Sequence, residues 1–189
     1  MNSSTMRGSM EVVAGGMFSG KTHELIRRLR LCVLAKKKVQ IFKSHMDNRY
    51  NGKALVSHDG FEIPSESVKT SGDILKAVKP ETRVVGIDEA QFFDPGLVDV
   101  CEALADGGKR VIVAGLDLDY KREPFEVMAP LLARAEMVTK NPSICSVCGE
   151  NAHYSQRIKA DSKERVLVGA QDCYEARCRQ CYKKEPVTA

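Results

Sequence analysis

The sequence contains no tryptophan, and only 6% of its residues are aromatic. Proteins that hold a single nucleic-acid strand stack successive bases on aromatic side chains, so this composition argues against that class. Long apolar runs are also missing. The apolar segments, such as Arg110–Leu116, are far shorter than the ~20 residues that a membrane-spanning helix needs. We therefore expect no membrane partner.

Charge of one sign does not dominate. The 29 basic residues are nearly balanced by 25 acidic ones, which leaves a net charge of +4. A mildly basic balance suits a small polyanionic ligand and does not by itself indicate DNA binding. Apolar residues make up 43% and charged residues 29% of the 189 residues. This is the balance of a globular protein with one ordinary domain and room for a small addition.

The ends of the chain and its cysteines bear on the compartment. Residues 1–9 are rich in serine and threonine and have no apolar stretch, so they lack the pattern of a signal peptide. Met6–Ser9 also resembles a remnant of a cloning vector, and a native flexible start stays open beside that origin. Seven cysteines without a secretory signal favour metal binding in a reducing compartment over disulfides. We expect a cytoplasmic protein.

The order of patterns along the chain predicts the fold. Strands alternate with helices over short connections, which is typical of a parallel sheet covered on both faces. Apolar runs predict strands at 10–14, 39–43, 84–87, 110–115 and 137–139, and helical spacing predicts helices at 23–38, 72–78, 95–105 and 124–134. The polar stretch 49–70 is expected to be a loop or a small hairpin. We predict an α/β core over 10–141, a cysteine-containing second module over 142–182 and a flexible tail over 183–189.

A phosphate-binding motif lies between the first predicted strand and helix. The sequence GGMFSGKT matches G-x-x-x-x-G-K-[ST] completely. In this motif backbone amides and the helix N-terminus hold a polyphosphate, the lysine reaches the outer phosphates, and the hydroxyl binds Mg²⁺. A chance glycine-rich turn is the alternative. The motif assigns to a bound nucleoside triphosphate Gly15, Gly16, Met17, Phe18, Ser19, Gly20, Lys21 and Thr22, with Thr22 also as a magnesium ligand.

Two acidic residues end the predicted strand at 84–87. Asp88 would hold Mg²⁺ through water, and Glu89 would act as a general base on a hydroxyl group or a water molecule. A phosphate acceptor is already ionised and needs no base, so Glu89 favours an alcohol acceptor or hydrolysis. A solvated acidic strand end is the alternative. Ala90 and Gln91 follow directly and are assigned to the same nucleotide site.

Two cysteine pairs predict a metal site. Cys145-x-x-Cys148 and Cys178-x-x-Cys181 have the spacing that places four thiolates around one tetrahedral zinc ion. Four protein ligands leave no open position, so the zinc would be structural. It would anchor both ends of a segment that is too small and polar to fold alone. Four free thiols or two disulfides are the alternatives, and His153 would compete only for a site that is already full.

Together these motifs resemble the thymidine kinase family of the cellular and bacterial (type II) kind. The resemblance extends from about Glu11 to Lys184. The segments that carry it are Gly16–Lys21 (GMFSGK), Asp47–Tyr50 (DNRY), Asp88–Phe93 (DEAQFF), Leu116-Asp117 with Tyr120 and Pro124-Phe125, and Tyr174 with Cys178, Cys181 and Tyr182.

The resemblance implies a fold and a reaction. The fold would be a RecA-like P-loop core followed by a zinc-ribbon-like domain with a lasso loop. The reaction would transfer the γ-phosphoryl group of ATP to the 5′-hydroxyl of thymidine, giving dTMP, with Mg²⁺ and a structural Zn²⁺ present. Glu89 would take the hydroxyl proton, while Asp47, Arg49 and Lys21 would manage phosphate and metal charge. The family also implies a homotetramer that dTTP inhibits by feedback.

The resemblance also implies a set of nucleoside contacts. Ser155 stands where the family often has a threonine that faces the thymine methyl group, and Tyr120 replaces a frequent phenylalanine. Both differences concern the nucleoside site and not the catalytic residues. The implied contacts are Met17, Phe92, Leu116, Tyr120, Phe125, Ser155, Arg165, Val166, Leu167, Val168, Gly169 and Tyr174.

Two rival functions share some of these motifs. The tetrapeptide Asp88–Gln91 also occurs in helicase-type ATPases, but such motors need two lobes or a ring with a supplied arginine. A single-lobe ATPase with a nucleic-acid-binding zinc ribbon, or a ribbon with a nucleotide switch, would need a basic or aromatic face. Lys159, Lys163 and Arg165 are interleaved with acidic residues, so we expect no nucleic-acid partner.

Overall fold

The centre of the molecule is a mostly parallel β-sheet. The computed structural model describes residues 8–46, 54–56, 62–159 and 171–183. Seven strands lie in the order β3-β4-β2-β5-β6-β1-β7. Their bounds are β1 Ser9–Gly15, β2 Val39–Ser44, β3 Ala54–Val56, β4 Glu62–Val68, β5 Val84–Asp88, β6 Arg110–Leu116 and β7 Met137–Lys140. The pairing of β3 with β4 is antiparallel, and the other five pairings are parallel.

Helices cover both faces of this sheet, as predicted. Val12 and Val13 are both fully buried, and they belong to different core clusters because successive strand residues point to opposite faces. Leu29 packs in the cluster of Val13, and Leu97 packs in the larger one on the other face. The helices are α1 Lys21–Leu34, α2 Ser71–Ala77, α3 Leu97–Asp106 and α4 Met128–Arg134.

Two helices are shorter than the sequence predicts. The first ends at Leu34 because the chain turns at Lys36, whose φ is 58°. The last begins at Met128 rather than at Pro124, because Pro124 forms an isolated bridge with Leu118. The loop after β6 therefore folds back on itself before α4 starts.

The polar stretch at 49–70 contains a small hairpin, one of the two predicted alternatives, because β3 and β4 pair antiparallel. The sequence did not predict that β4 also joins the main sheet. Strand β4 pairs in parallel with β2, for example Phe42 with Glu66. Of its described side chains, Ser65 and Val68 are buried while their neighbours are exposed. Such a strand lacks the apolar run that marks a central strand of a parallel sheet.

Short antiparallel strands follow β7. Strands β8 (Ser143–Ile144) and β9 (Asn151–Ala152) form one ribbon, and β10 (Tyr154–Arg157) and β11 (Tyr174–Arg177) form another. The predicted division after residue 141 falls between β7 and β8. No helix in the described part of the chain is both long and apolar enough to span a membrane.

Candidate active site

The phosphate-binding motif forms the turn between β1 and α1. Its backbone takes positive φ values at Phe18 (64°) and Gly20 (72°), which bend the chain sharply into the helix. Ser19 Oγ donates to the Gly16 carbonyl at 2.8 Å, and Lys21 Nζ donates to the same carbonyl at 2.7 Å. The lysine ammonium group and the first amides of α1 therefore meet at one loop, which is the arrangement that binds phosphates.

Strand β5, which is separated from β1 by β6, brings a carboxylate to the N-terminus of α1. Thr22 Oγ1 donates to Asp88 and lies 3.1 Å from Oδ2 and 3.3 Å from Oδ1. Burial and the negative charge of Glu89 raise the pKa of Asp88 to about 7. A hydroxyl and a buried carboxylate are oxygen donors of the type that Mg²⁺ prefers, so these residues fit that ion.

Glu89 is held in an unusual backbone conformation at the end of β5. Its φ is 51°, a left-handed value that costs energy in a residue other than glycine and is frequent at functional sites. Gln91 Nε2 donates to Glu89 Oε2, and Gln91 Oε1 accepts from Leu116 N at 2.9 Å. Because an amide N–H can only donate, the Leu116 contact fixes which end of the Gln91 amide faces Glu89.

Apolar and aromatic residues from several parts of the chain surround the end of β6: the loop that follows it, the phosphate-binding loop and the start of β11. Leu116 and Phe125 are buried in the main core cluster, and Met17 packs against that cluster. Tyr120 and Tyr174 are also buried.

An arginine joins these two tyrosines. The Arg157 guanidinium lies 3.7 Å from the centre of the Tyr120 ring, and its Nη2 donates to Tyr174 Oη at 2.6 Å. The structure thus brings five of the predicted nucleoside contacts into two groups: Met17, Leu116 and Phe125 in the main core cluster, and Tyr120 and Tyr174 around Arg157. Phe92 lies in a one-turn 3-10 helix after β5, where its carbonyl accepts from Ser44 Oγ at 3.3 Å.

Residues beyond β7 contact the phosphate-binding loop directly. Ser155 Oγ accepts from Met17 N at 2.9 Å, and Ser143 Oγ donates to the Phe18 carbonyl at 3.1 Å. A Cβ at Gly16 would lie 3.3 Å from the His153 carbonyl oxygen, so a side chain there would crowd this contact.

The four predicted metal ligands come together. The sulfur atoms of Cys145, Cys148, Cys178 and Cys181 all lie within 4.8 Å of one another, and none of these cysteines is in a disulfide. Tetrahedral zinc with Zn–S bonds of about 2.3 Å needs sulfur atoms roughly 3.8 Å apart. The 3.6 Å between the sulfurs of Cys148 and Cys178 is close to that value. The cluster fits a structural zinc ion, and His153 is not part of it.

Comparison with known proteins identifies the family. The family model described as thymidine kinase matches residues 8–182. The chain belongs to the thymidine kinase family. A thymidine kinase of Bdellovibrio bacteriovorus is 52% identical over 179 residues, which is 95% of this chain and 87% of that protein. One of a Rhodothermus species is 52% identical over 176 residues, which is 93% of this chain and 82% of that protein. The chain is an ATP-dependent kinase by this membership.

Two solved structures resemble this kinase more weakly. Domain III of the Thermotoga maritima replication initiation protein DnaA has a TM-score of 0.44 and 20% identity, over 72% of this chain and 56% of that one. The Legionella pneumophila ATPase DotB has a TM-score of 0.48 and 12% identity, over 77% of this chain and 43% of that one. Similarity at this level does not bear on the function.

Several predicted residues of the kinase lie outside the described part of the chain. These are Asp47 and Arg49, and the predicted nucleoside contacts Arg165, Val166, Leu167, Val168 and Gly169. Their assigned roles stay predictions.

Three residues near the site were not predicted from the sequence. Ser143 holds the Phe18 carbonyl, Arg157 joins two tyrosines, and Lys140 Nζ lies 2.7 Å from the buried Asp117 Oδ2. A lone serine, arginine or lysine in a polar stretch carries no local pattern, so no signal in the single sequence marks them.

Proposed function

We propose that this kinase transfers the γ-phosphoryl group of ATP to the 5′-hydroxyl of thymidine and releases dTMP and ADP. The observation that carries the proposal is the placement of Glu89 beside Asp88, at the same end of the sheet as the Lys21 loop. An alcohol acceptor must lose a proton as it attacks phosphorus, and a positioned carboxylate can take it. Gln91 supports this role because it holds the Glu89 carboxylate toward the end of β6.

The donor nucleotide would bind at the loop between β1 and α1. Lys21 and the loop amides would neutralise and orient the phosphates. The family resemblance implies that Arg49 and Asp47 also interact with the charges of the phosphates and the metal. Thr22 and Asp88 would hold Mg²⁺, which when bound neutralises charge on the β- and γ-phosphates.

The nucleoside would bind against the loop that follows β6. Met17, Leu116 and Phe125 supply apolar surface there, and Tyr120 and Tyr174 supply aromatic surface. Phe92, Ser155 and residues 165–169 are assigned to this site by the family resemblance. A tight apolar site rejects larger purine bases by size, so we expect selectivity for a pyrimidine nucleoside.

The resemblance extends the proposal beyond the single chain. We propose a structural Zn²⁺ on the four cysteines, a cytoplasmic homotetramer, and feedback inhibition by dTTP. We also keep the division into a core over 10–141 and a zinc-binding lasso domain over 142–182, flanked by residues 1–9 and 183–189. Support for the zinc comes from the sulfur cluster, and support for the others comes from the family alone.

A single labelling experiment tests the reaction. Purified protein is incubated with γ-labelled ATP and Mg²⁺ and with thymidine, deoxyuridine, deoxycytidine, deoxyguanosine or no acceptor. We expect label in dTMP, and little label in the cytidine or purine products. Label that appears only as free phosphate, with or without nucleoside, would instead indicate a single-lobe ATPase.

A further inference from the structure

Arg157 lies at one end of the ribbon formed by β10 and β11. It is the last residue of β10 and lies opposite Tyr174, the first residue of β11. Its Nη2 donates to Tyr174 Oη at 2.6 Å. The arginine therefore ties the two strands together through side chains at the end of the ribbon that is farther from the zinc ligand Cys178.

The same guanidinium also reaches the α/β core. It lies over the Tyr120 ring at 3.7 Å from the ring centre. Tyr120 is in the loop after β6, and its carbonyl accepts a hydrogen bond from Tyr182 Oη at 2.5 Å. Arg157 is thus placed between the ribbon and the core, in contact with a tyrosine of each.

The chemistry of arginine suits this double contact. A guanidinium group is planar and permanently charged, so it can stack on one ring while an edge N–H donates to another group. A lysine ammonium group keeps the charge but lacks the plane and the fixed fork. The two contacts together define how far Tyr120 lies from Tyr174 and how their rings are turned.

We propose that Arg157 is a positioning residue of the nucleoside site. It sets the relative placement of Tyr120 and Tyr174, which come from distant parts of the chain and form two walls of that site. The inference rests on the proposed function, because that function makes both tyrosines nucleoside contacts. The stacking contact of Arg157 is with Tyr120 and its hydrogen bond is with Tyr174, so we expect its effect on nucleoside binding.

The test compares Arg157→Met with a matched change at the other end of the same ribbon. Arg177 lies opposite Tyr154 and donates to Glu175. Arg177→Met therefore removes an arginine of the same ribbon without removing the stacking contact with Tyr120 or the hydrogen bond to Tyr174. For Arg157→Met we expect the KM for thymidine to rise about tenfold, the size expected for a lost stacking contact and hydrogen bond. The KM for ATP and kcat should stay within about threefold, as for a loss of uniform binding. Arg177→Met should leave all three constants near those of the wild type.

Two further variants separate positioning from general stability. Arg157→Lys keeps the charge, and we expect it not to restore the KM for thymidine. If Arg157→Met loses zinc or melts early, Arg157→Lys decides the question. When Tyr174→Phe is combined with Arg157→Met, we expect the KM for thymidine to rise by less than the product of the single effects, because the two side chains act through one contact.

Three results would overturn the inference. An unchanged KM for thymidine in folded, zinc-containing Arg157→Met and Arg157→Lys would do so while leaving the proposed function intact. An equal rise in the KM values for ATP and thymidine would show a general structural role instead. A wild-type protein that does not phosphorylate thymidine would refute the proposed function, and this inference with it.

Discussion

The hydroxyl of Ser155 accepts a hydrogen bond from the backbone amide of Met17 at 2.9 Å. This bond joins β10, the second strand after the first cysteine pair, to the loop that precedes α1. Ser143 makes a second link by donating to the Phe18 carbonyl at 3.1 Å. The zinc-binding part therefore touches the proposed ATP site as well as the proposed nucleoside site, and the two substrates bind to surfaces that share a physical connection.

Loss of the Ser155 hydroxyl should weaken both sites. Ser155→Ala leaves the Met17 amide without its acceptor in a partly buried place, which costs about 1 kcal/mol. We expect the KM values for ATP and thymidine to rise together in steady-state assays that vary each substrate in turn. Ser155→Thr keeps a hydroxyl group and serves as the control, with an ATP KM close to that of the wild type. A rise confined to thymidine would contradict the link to the phosphate-binding loop.

Removal of zinc should act on the same link from the other side. Cys148→Ser takes one of the four sulfurs from the cluster, and a small metal-anchored segment loses its fold without the metal. We expect calorimetry to show a weaker affinity for both substrates, with the affinity for thymidine lost before the affinity for ATP. Cys173→Ser is the control, because Cys173 is not part of the cluster. Unchanged affinities in a zinc-free protein would exclude the coupling.

The parts of the site that could be predicted from the sequence depend on short-range geometry. The turn around Gly20 and Lys21, and the spacing within each cysteine pair, are fixed by a few adjacent residues. The parallel sheet followed in the same way from alternating strand and helix patterns. Each of these features depends on residues that are close together in the sequence, so a local pattern is enough to predict it.

The contacts that could not be predicted join distant residues. Met17 and Ser155 are 138 positions apart, and nothing in one sequence pairs a main-chain amide with a particular serine. The pairing of β4 with β2 in the main sheet was missed for a different reason, because the described side chains of β4 alternate irregularly between buried and exposed and include Pro64. The start of α4 was placed too early since Pro124, a residue common at helix starts, instead bridges to Leu118.

The proposed base can be tested separately from binding. Glu89→Gln keeps the size of the side chain and removes its ability to accept a proton. We expect kcat to fall by ~10²-fold or more, while the dissociation constants for ATP and thymidine change little. Glu81→Gln changes an exposed glutamate in the turn before β5, at the opposite end of that strand from Glu89, and should leave kcat unchanged. Turnover near that of the wild type in Glu89→Gln would remove Glu89 from the base role.

A buried ion cluster far from these substrates should control stability in acid. Glu11 accepts from Arg28 at 2.9 Å and from Arg110 at 2.5 Å. Burial raises the pKa of Glu11, but the hydrogen bonds and charges of the two arginines outweigh it and the net pKa is lowered. The hydrogen bonds of Arg27 and Arg28 lower the pKa of Glu24 from 4.5 to about 2.

The sign of the pH dependence follows from these lowered pKa values. A carboxyl group with a lower pKa in the folded state stabilises the fold above its unfolded pKa and loses that effect as pH falls through the folded pKa. We therefore expect the free energy of unfolding, measured with urea, to fall between about pH 4.5 and pH 2. Glu11→Gln should lower it by about 1–3 kcal/mol at pH 7, since it removes charged hydrogen bonds to Arg28 and Arg110, while Arg28 keeps its ion pair with Glu24.

The matched control for that change is a surface pair. Glu102 accepts from Arg134 at 2.6 Å with both side chains more than two fifths exposed, and exposed pairs contribute about 0–1 kcal/mol. Glu102→Gln should therefore leave both the stability at pH 7 and its loss in acid almost unchanged. Suppose that Glu11→Gln and Glu102→Gln have the same stability at pH 7 and lose it in acid to the same extent. Solvent would then screen the buried pair as strongly as the exposed one, and the buried cluster would not control the acid response.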